Sequence, residues 1–81
     1  MQYGVIALGG TFDIIHIGHI ALLKKGFSIS EKVIIGLTSD EFALKNGKKL
    51  LNNYEKRHSL LKSLIEEKFL DSKFQISKLE N

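Results

Sequence analysis

The spacing of apolar and polar positions changes several times along the chain, and each change marks an element. Tyr3 to Leu8 is an apolar run of strand length, and from Ile20 to Phe27 the apolar residues fall at helical spacing, with Lys24 and Lys25 near the end. Leu60, Leu61, Leu64, Ile65 and Phe69 also recur at helical spacing, while Lys56, Lys62, Glu66 and Glu67 fall largely elsewhere. That stripe is read as core covering a sheet. The pattern predicts strands over 2–8, 32–38 and 72–78 and helices over 17–28, 39–45 and 53–67. Thr38-Ser39-Asp40-Glu41 has the Thr-x-x-Glu form of a capping box, and Asn52-Asn53-Tyr54-Glu55 offers Asn at the cap with Glu three residues on. Strands alternating with helices imply an α/β fold, a Rossmann-like parallel sheet with flanking helices and right-handed crossovers.

Composition narrows the class. With 81 residues the chain makes one domain at most, close to the lower limit for an independent core. It has no cysteine, so no disulfide can staple it and no cysteine cluster can bind metal; a reducing, cytoplasmic setting is expected. Glycine is modest and proline absent, and no linker, repeat or low-complexity segment stands out. The start carries no basic leader and the apolar runs are strand-length, so neither a signal peptide nor a membrane span is expected. The formal net charge of +3 is dispersed among acids rather than laid in a stripe, which argues against nucleic acid as a partner.

Candidate chemistry concentrates between the first strand and the first helix, in Gly9-Gly10-Thr11-Phe12-Asp13-Ile14-Ile15-His16-Ile17-Gly18-His19. Turns from strand to helix are where α/β proteins bind phosphate. Gly9 and Gly10 are expected to let backbone amides approach a phosphate without a Cβ in the way, and Thr11 adds a hydroxyl. His16 and His19 share one helical face, with Gly18 between them leaving room for a ligand. A metal cage of Asp13, His16 and His19 is the rival interpretation, but the glycines favour a ligand lying against backbone, and no protein metal site is expected.

Gly10-Thr11-Phe12-Asp13 followed by His16-Ile17-Gly18-His19 resembles the His-x-Gly-His nucleotidyltransferase superfamily without a gap. Val33 to Phe42, Tyr54-Glu55-Lys56-Arg57 and Phe74 to Asn81 look like the second strand and helix, a later helix and the third strand of archaeal and eukaryotic phosphopantetheine adenylyltransferases. The resemblance implies the adenine nucleotide α hydrolase-like fold. It also implies transfer of AMP from ATP, with Mg²⁺, to 4′-phosphopantetheine. Glycerol-3-phosphate cytidylyltransferases share the first motif and are the nearest alternative, using CTP. Members carry a further Ser-Thr-x-x-Arg-type motif that this chain does not contain, so 1–81 is expected to be the N-terminal part of one truncated nucleotidyltransferase domain. A fragment that binds nucleotide weakly or merely self-associates is the non-enzymatic alternative.

Nucleotidyl transfer to an ionised acceptor needs positioned donors rather than a protein nucleophile. His19, at a helix N-terminus, is expected to donate to the α-phosphate, and His16 to hold the triphosphate on the same side. By resemblance, Thr11 and Phe12 contact phosphate, Gly9, Gly10 and Gly18 permit close approach, and Asp13 is structural. The resemblance also implies that a lysine of the polar loop around Asn46-Gly47, Lys49 or Lys48, stabilises the transferring phosphate. Arg57 is expected either to clamp a phosphate bidentately or to form a surface ion pair with Glu55 or another acid. The partners are therefore ATP and a small phosphorylated acceptor, with no membrane and, in this truncated form, a homo-oligomer.

Overall fold

The computed structural model describes residues 2–80. Its elements follow the order β1 (Tyr3–Gly10), α1 (Ile17–Ile29), β2 (Ser30–Thr38), α2 (Asp40–Lys45), α3 (Tyr54–Lys68) and β3 (Lys73–Leu79). The three strands form a parallel sheet in the order β1-β2-β3. β2 is central, and its alternate residues Val33, Ile35 and Leu37 are fully buried. Ile6 and Leu8 of β1 and Phe74 and Ile76 of β3 stand beside them in register and pack on the same core.

Both long helices cover that one face. Leu23 of α1 and Leu61 and Ile65 of α3 join the buried cluster, and the rings of Phe27 and Phe69 meet at 5.1 Å. Two successive right-handed crossovers running in one direction across a sheet have this outcome. Gly26 sets how closely α1 approaches, because a Cβ there would lie 3.4 Å from both Leu8 Cδ1 and Val33 Cγ2. Leu60 departs from the expected core stripe and is 41% exposed. On the opposite face, Val5, Ala7 and Gly9 of β1 are exposed, and no helix covers the sheet among the described residues.

The caps differ in detail from the sequence expectation. α2 is capped by Ser39, whose hydroxyl accepts from Phe42 N at 3.0 Å, not by Thr38. Thr38 instead ends β2 and donates its hydroxyl to Thr11 Oγ1 at 3.1 Å across the strand ends. α3 is capped by Asn53, which accepts from Lys56 N at 2.9 Å, and not by Asn52, which stands three residues before Glu55 and donates its side-chain amide to Asp13 O.

Two polar ties hold the turn after β1. Asp13, expected to be structural, accepts from Leu51 N at 2.7 Å and Asn52 N at 2.9 Å, and Asn52 Nδ2 returns a bond to Asp13 O at 3.1 Å. The amide bond from Leu51 is the largest influence holding its carboxyl below the ordinary value. The second tie is Arg57, with no exposed side-chain surface. It donates from Nε to Asn52 O at 3.1 Å, from Nη1 to Thr11 O at 2.9 Å and Thr38 Oγ1 at 3.4 Å, and from Nη2 to Asp40 Oδ1 at 2.7 Å. Of the two expected roles the structure shows the ion pair, buried rather than at the surface and with Asp40 rather than Glu55: Arg57 is a structural hub and is not among the residues that line the cleft. A buried guanidinium is tolerable only because its donors are matched in this way.

Arg57→Ala should therefore lower the stability to urea by about 3 kcal/mol, because it orphans acceptors on several elements at once. An unchanged unfolding midpoint would contradict the hub. Because Asp13 has a depressed folded pKa, its contribution is present above the ordinary carboxylate value, about pH 4, and is lost as pH falls through the folded value. Asp13→Asn should weaken the fold at neutral pH and flatten this acid limb in pH-dependent unfolding.

Candidate functional site

An open cleft of about 510 Å³ lies where β1 ends and α1 begins. One wall is the turn from Gly10 to Ile14, a second is formed by His16 and His19, and the third by Lys48, Lys49 and Leu50. This is the carboxyl end of a parallel strand facing a helix N-terminus, the position at which the backbone favours an anion.

The turn is shaped by one aromatic residue. Phe12 has φ +50°, in the left-handed region that a bulky residue occupies only under constraint. Its ring is buried and folds back over Gly10, where an added Cβ would come within 2.8 Å of Cε2. Gly10 therefore makes room for the ring of Phe12, and it also lines the cleft. The same ring lies 4.7 Å from that of His19, which stacks on His16 at 4.0 Å with 26° between planes.

The two histidines also cap their own helix. His16 is the N-cap residue, and its Nδ1 accepts from Gly18 N at 3.1 Å. Its backbone N–H donates to His19 Nδ1 at 3.2 Å. A Cβ on Gly18 would sit 2.9 Å from His16 Cε1, so Gly18 makes room for the capping ring and does not line the cleft. With both Nδ1 atoms accepting from amides, the neutral rings carry hydrogen on Nε2, which assigns both as donors. Burial, and then the neighbouring His16, lower the pKa of His19, which favours this neutral form.

The remaining expected residues divide. Thr11 lines the cleft; its carbonyl is held by Arg57, while its hydroxyl accepts from Thr38 and keeps a hydrogen to donate. Phe12 lines the cleft at the surface of the turn, but its side chain is core. Gly9 is corrected: it pairs with Gly36 inside β1 and has no part in the cleft. Lys48 and Lys49 are exposed and face the turn across the cleft. Their loop is anchored by Lys48 N to Ala43 O at 3.0 Å and by the bonds from Leu51 and Asn52 to Asp13. Thr38 and Asp40 were missed as supports of the site. A hydroxyl ending one buried strand, alongside a hydroxyl ending its neighbour, is the signal that could have shown them.

Asp13 does not form a metal cage with the histidines, because its carboxylate oxygens are taken by the two loop amides. Among the described residues no group of three or more His, Cys, Asp or Glu is placed to hold a metal. No helix among them is long and apolar enough to cross a membrane.

Comparison with known proteins places this geometry in a lineage. The chain is 36% identical to the phosphopantetheine adenylyltransferase of Methanopyrus kandleri over 80 residues, covering 99% of this chain and 51% of the relative. It is 44% identical to the enzyme of that name from Methanosarcina barkeri, covering 94% of this chain and 48% of the relative, and 43% identical to that from Pyrococcus furiosus, covering 99% and 50%. The chain thus spans about half the length of these relatives. Among solved structures, the lipopolysaccharide core biosynthesis protein from Thermoplasma volcanium superposes with a TM-score of 0.73 at 27% identity, over 91% of this chain and 57% of that one. The cytidylyltransferase-like family model matches residues 7–79, from the second half of β1 through both crossovers to the end of β3. On this match the chain belongs to the cytidylyltransferase-like family.

Proposed function

We propose that the chain forms the phosphate-handling half of an adenylyltransferase that moves AMP from ATP to 4′-phosphopantetheine, releasing pyrophosphate and dephospho-coenzyme A. The observation that carries this is the pair of stacked imidazoles, each with Nδ1 engaged by backbone and Nε2 free to donate, at a helix N-terminus across a cleft from two lysines. The names of the relatives at 36%, 44% and 43% identity support the choice of nucleotide and acceptor.

In the reaction an oxygen of the acceptor phosphate forms a bond to the α-phosphorus, and the bond from that phosphorus to the bridging oxygen of the β-phosphate breaks. The acceptor is already ionised near neutral pH, so no strong base is required. His19 donates from Nε2 to the α-phosphate oxygens as charge builds on them, and His16 binds the triphosphate beside it. Lys49 or Lys48 neutralises the transferring group from the opposite wall, and Thr11 donates its hydroxyl to phosphate. Mg²⁺ bound to ATP would add charge neutralisation on the phosphates. The donor set suits an ion carried on the nucleotide's own oxygens, since Asp13 is occupied by the loop amides. In this proposal the protein is cytoplasmic, and the 81-residue chain by itself is a homo-oligomer.

His19→Ala should reduce turnover by about two to three orders of magnitude in a protein that carries the full length of the relatives, the loss expected for one preorganised donor. Pyrophosphate release with ATP and 4′-phosphopantetheine measures it. Near-normal release would make the histidine architectural, and turnover with CTP and glycerol 3-phosphate instead would move the chain to a cytidylyltransferase. The 81-residue chain has its own test. In an NMR titration, His19 should protonate below the ordinary imidazole value without ligand and shift upward on adding ATP, because a bound polyphosphate favours imidazolium. No shift at saturating ATP would count against contact between this ring and phosphate.

A further inference from the structure

Two hydroxyls meet where adjacent strands end. Gly10 pairs with Leu37 in the parallel register, which brings the next residues, Thr11 and Thr38, side by side. Thr38 is 8% exposed, and its backbone is held in β2 against Leu79 of β3. Arg57 Nη1 donates to Thr11 O at 2.9 Å and to Thr38 Oγ1 at 3.4 Å, and Thr38 Oγ1 lies 3.1 Å from Thr11 Oγ1. The direction of this row follows from donor chemistry. A guanidinium only donates, so the Thr38 oxygen accepts from it and sends its own hydrogen to Thr11, the one acceptor that hydroxyl meets among the described residues. The hydrogen of Thr11 is then left for the cleft, which Thr11 lines and Thr38 does not.

We propose that Thr38 is a positioning residue, which passes the polarity of buried Arg57 to the hydroxyl of Thr11 and presents that hydroxyl as a donor to a phosphate of the bound nucleotide. This rests on the phosphate-handling role proposed above and extends it to a residue that touches no ligand. A free threonine hydroxyl donates and accepts equally well and rotates to suit its surroundings. Beside an anion only the donating arrangement is attractive, so a neighbour that already occupies the oxygen as acceptor removes the wrong one. Hydrogen bonds in a row polarise one another, and a row that starts at a cation makes its last hydroxyl a stronger donor. Arg57 therefore fixes Thr11 at two points, the carbonyl directly and the hydroxyl through Thr38. The stiffness of a β-branched side chain on a paired strand end keeps the link in place.

In the 81-residue chain, Thr38→Val keeps the branched shape and removes the hydroxyl. The bond lost by Arg57 is the longest of its set, and Nη1 retains the Thr11 carbonyl, so the fold should persist. Without ligand, three-bond side-chain couplings should place Thr11 in one χ1 rotamer in the unmodified chain and in Thr38→Ser, and average it among rotamers in Thr38→Val. In ATP titrations followed by NMR, Thr11→Val and Thr38→Val should each raise the dissociation constant about three- to tenfold. The double variant should lose no more than either single one, and Thr38→Ser should recover most of the loss. A Thr38→Val chain that binds ATP normally while Thr11→Val does not, or losses that multiply in the double variant, would overturn the relay and leave the phosphate role of Thr11 standing. An averaged Thr11 rotamer in the unmodified chain would do the same, and that measurement requires no variant to fold. ATP binding indifferent to Thr11→Val, or absent from the unmodified chain, would overturn the phosphate contact itself and the relay with it.

Discussion

The buried guanidinium of Arg57 is the interaction around which the carboxyl ends of the strands are organised. Its donors reach the turn after β1, the end of β2, the first turn of α2 and the loop before α3. Apolar packing fixes the helices against the sheet, but it is non-directional and leaves loops at the strand ends free. A rigid planar fork with matched acceptors supplies the missing direction. The cleft has a definite shape because four segments distant in sequence share one cation.

Around that hub, two glycines of the motif make room for neighbouring side chains. Gly10 yields to the ring of Phe12 and Gly18 to the ring of His16, and both rings then reach His19. The helix N-terminus, which ordinarily uses a hydroxyl or carboxylate cap, here uses imidazoles. The cap orients each ring and fixes its tautomer before any ligand arrives. Structure and candidate chemistry therefore depend on the same four hydrogen-bonding atoms, the Nδ1 atoms of His16 and His19 and the amides that meet them.

Much of this could be read from the chain before its coordinates. Six elements fall where apolar period and cap residues put them, because strands buried on a covered face and amphipathic helices leave unambiguous patterns. The pairing of His16 with His19 was legible from spacing, and the lysine loop from its polar composition together with the family resemblance. What escaped was tertiary in origin. Nothing local distinguishes Arg57 as buried, since its partners lie on other elements and only the parallel register brings Thr11 beside Thr38. The cap of α2 moved from Thr38 to Ser39 because β2 extends through Thr38, which consumes that residue's backbone in the strand. Gly9 was misjudged for a similar reason, as β1 continues through both glycines before turning.

The loop that carries Lys48 and Lys49 is fastened on both sides, at Ala43 before the lysines and at Asp13 after them. Ordering a free loop of this kind when ligand arrives would oppose binding by roughly 1–2 kcal/mol of backbone entropy per residue. Here most of that ordering is complete in the folded chain, so the lysine side chains alone remain to be immobilised. A site arranged in this way should lose affinity when either fastening is cut even though both lysines remain, because the entropy of the loop would again be charged to each binding event.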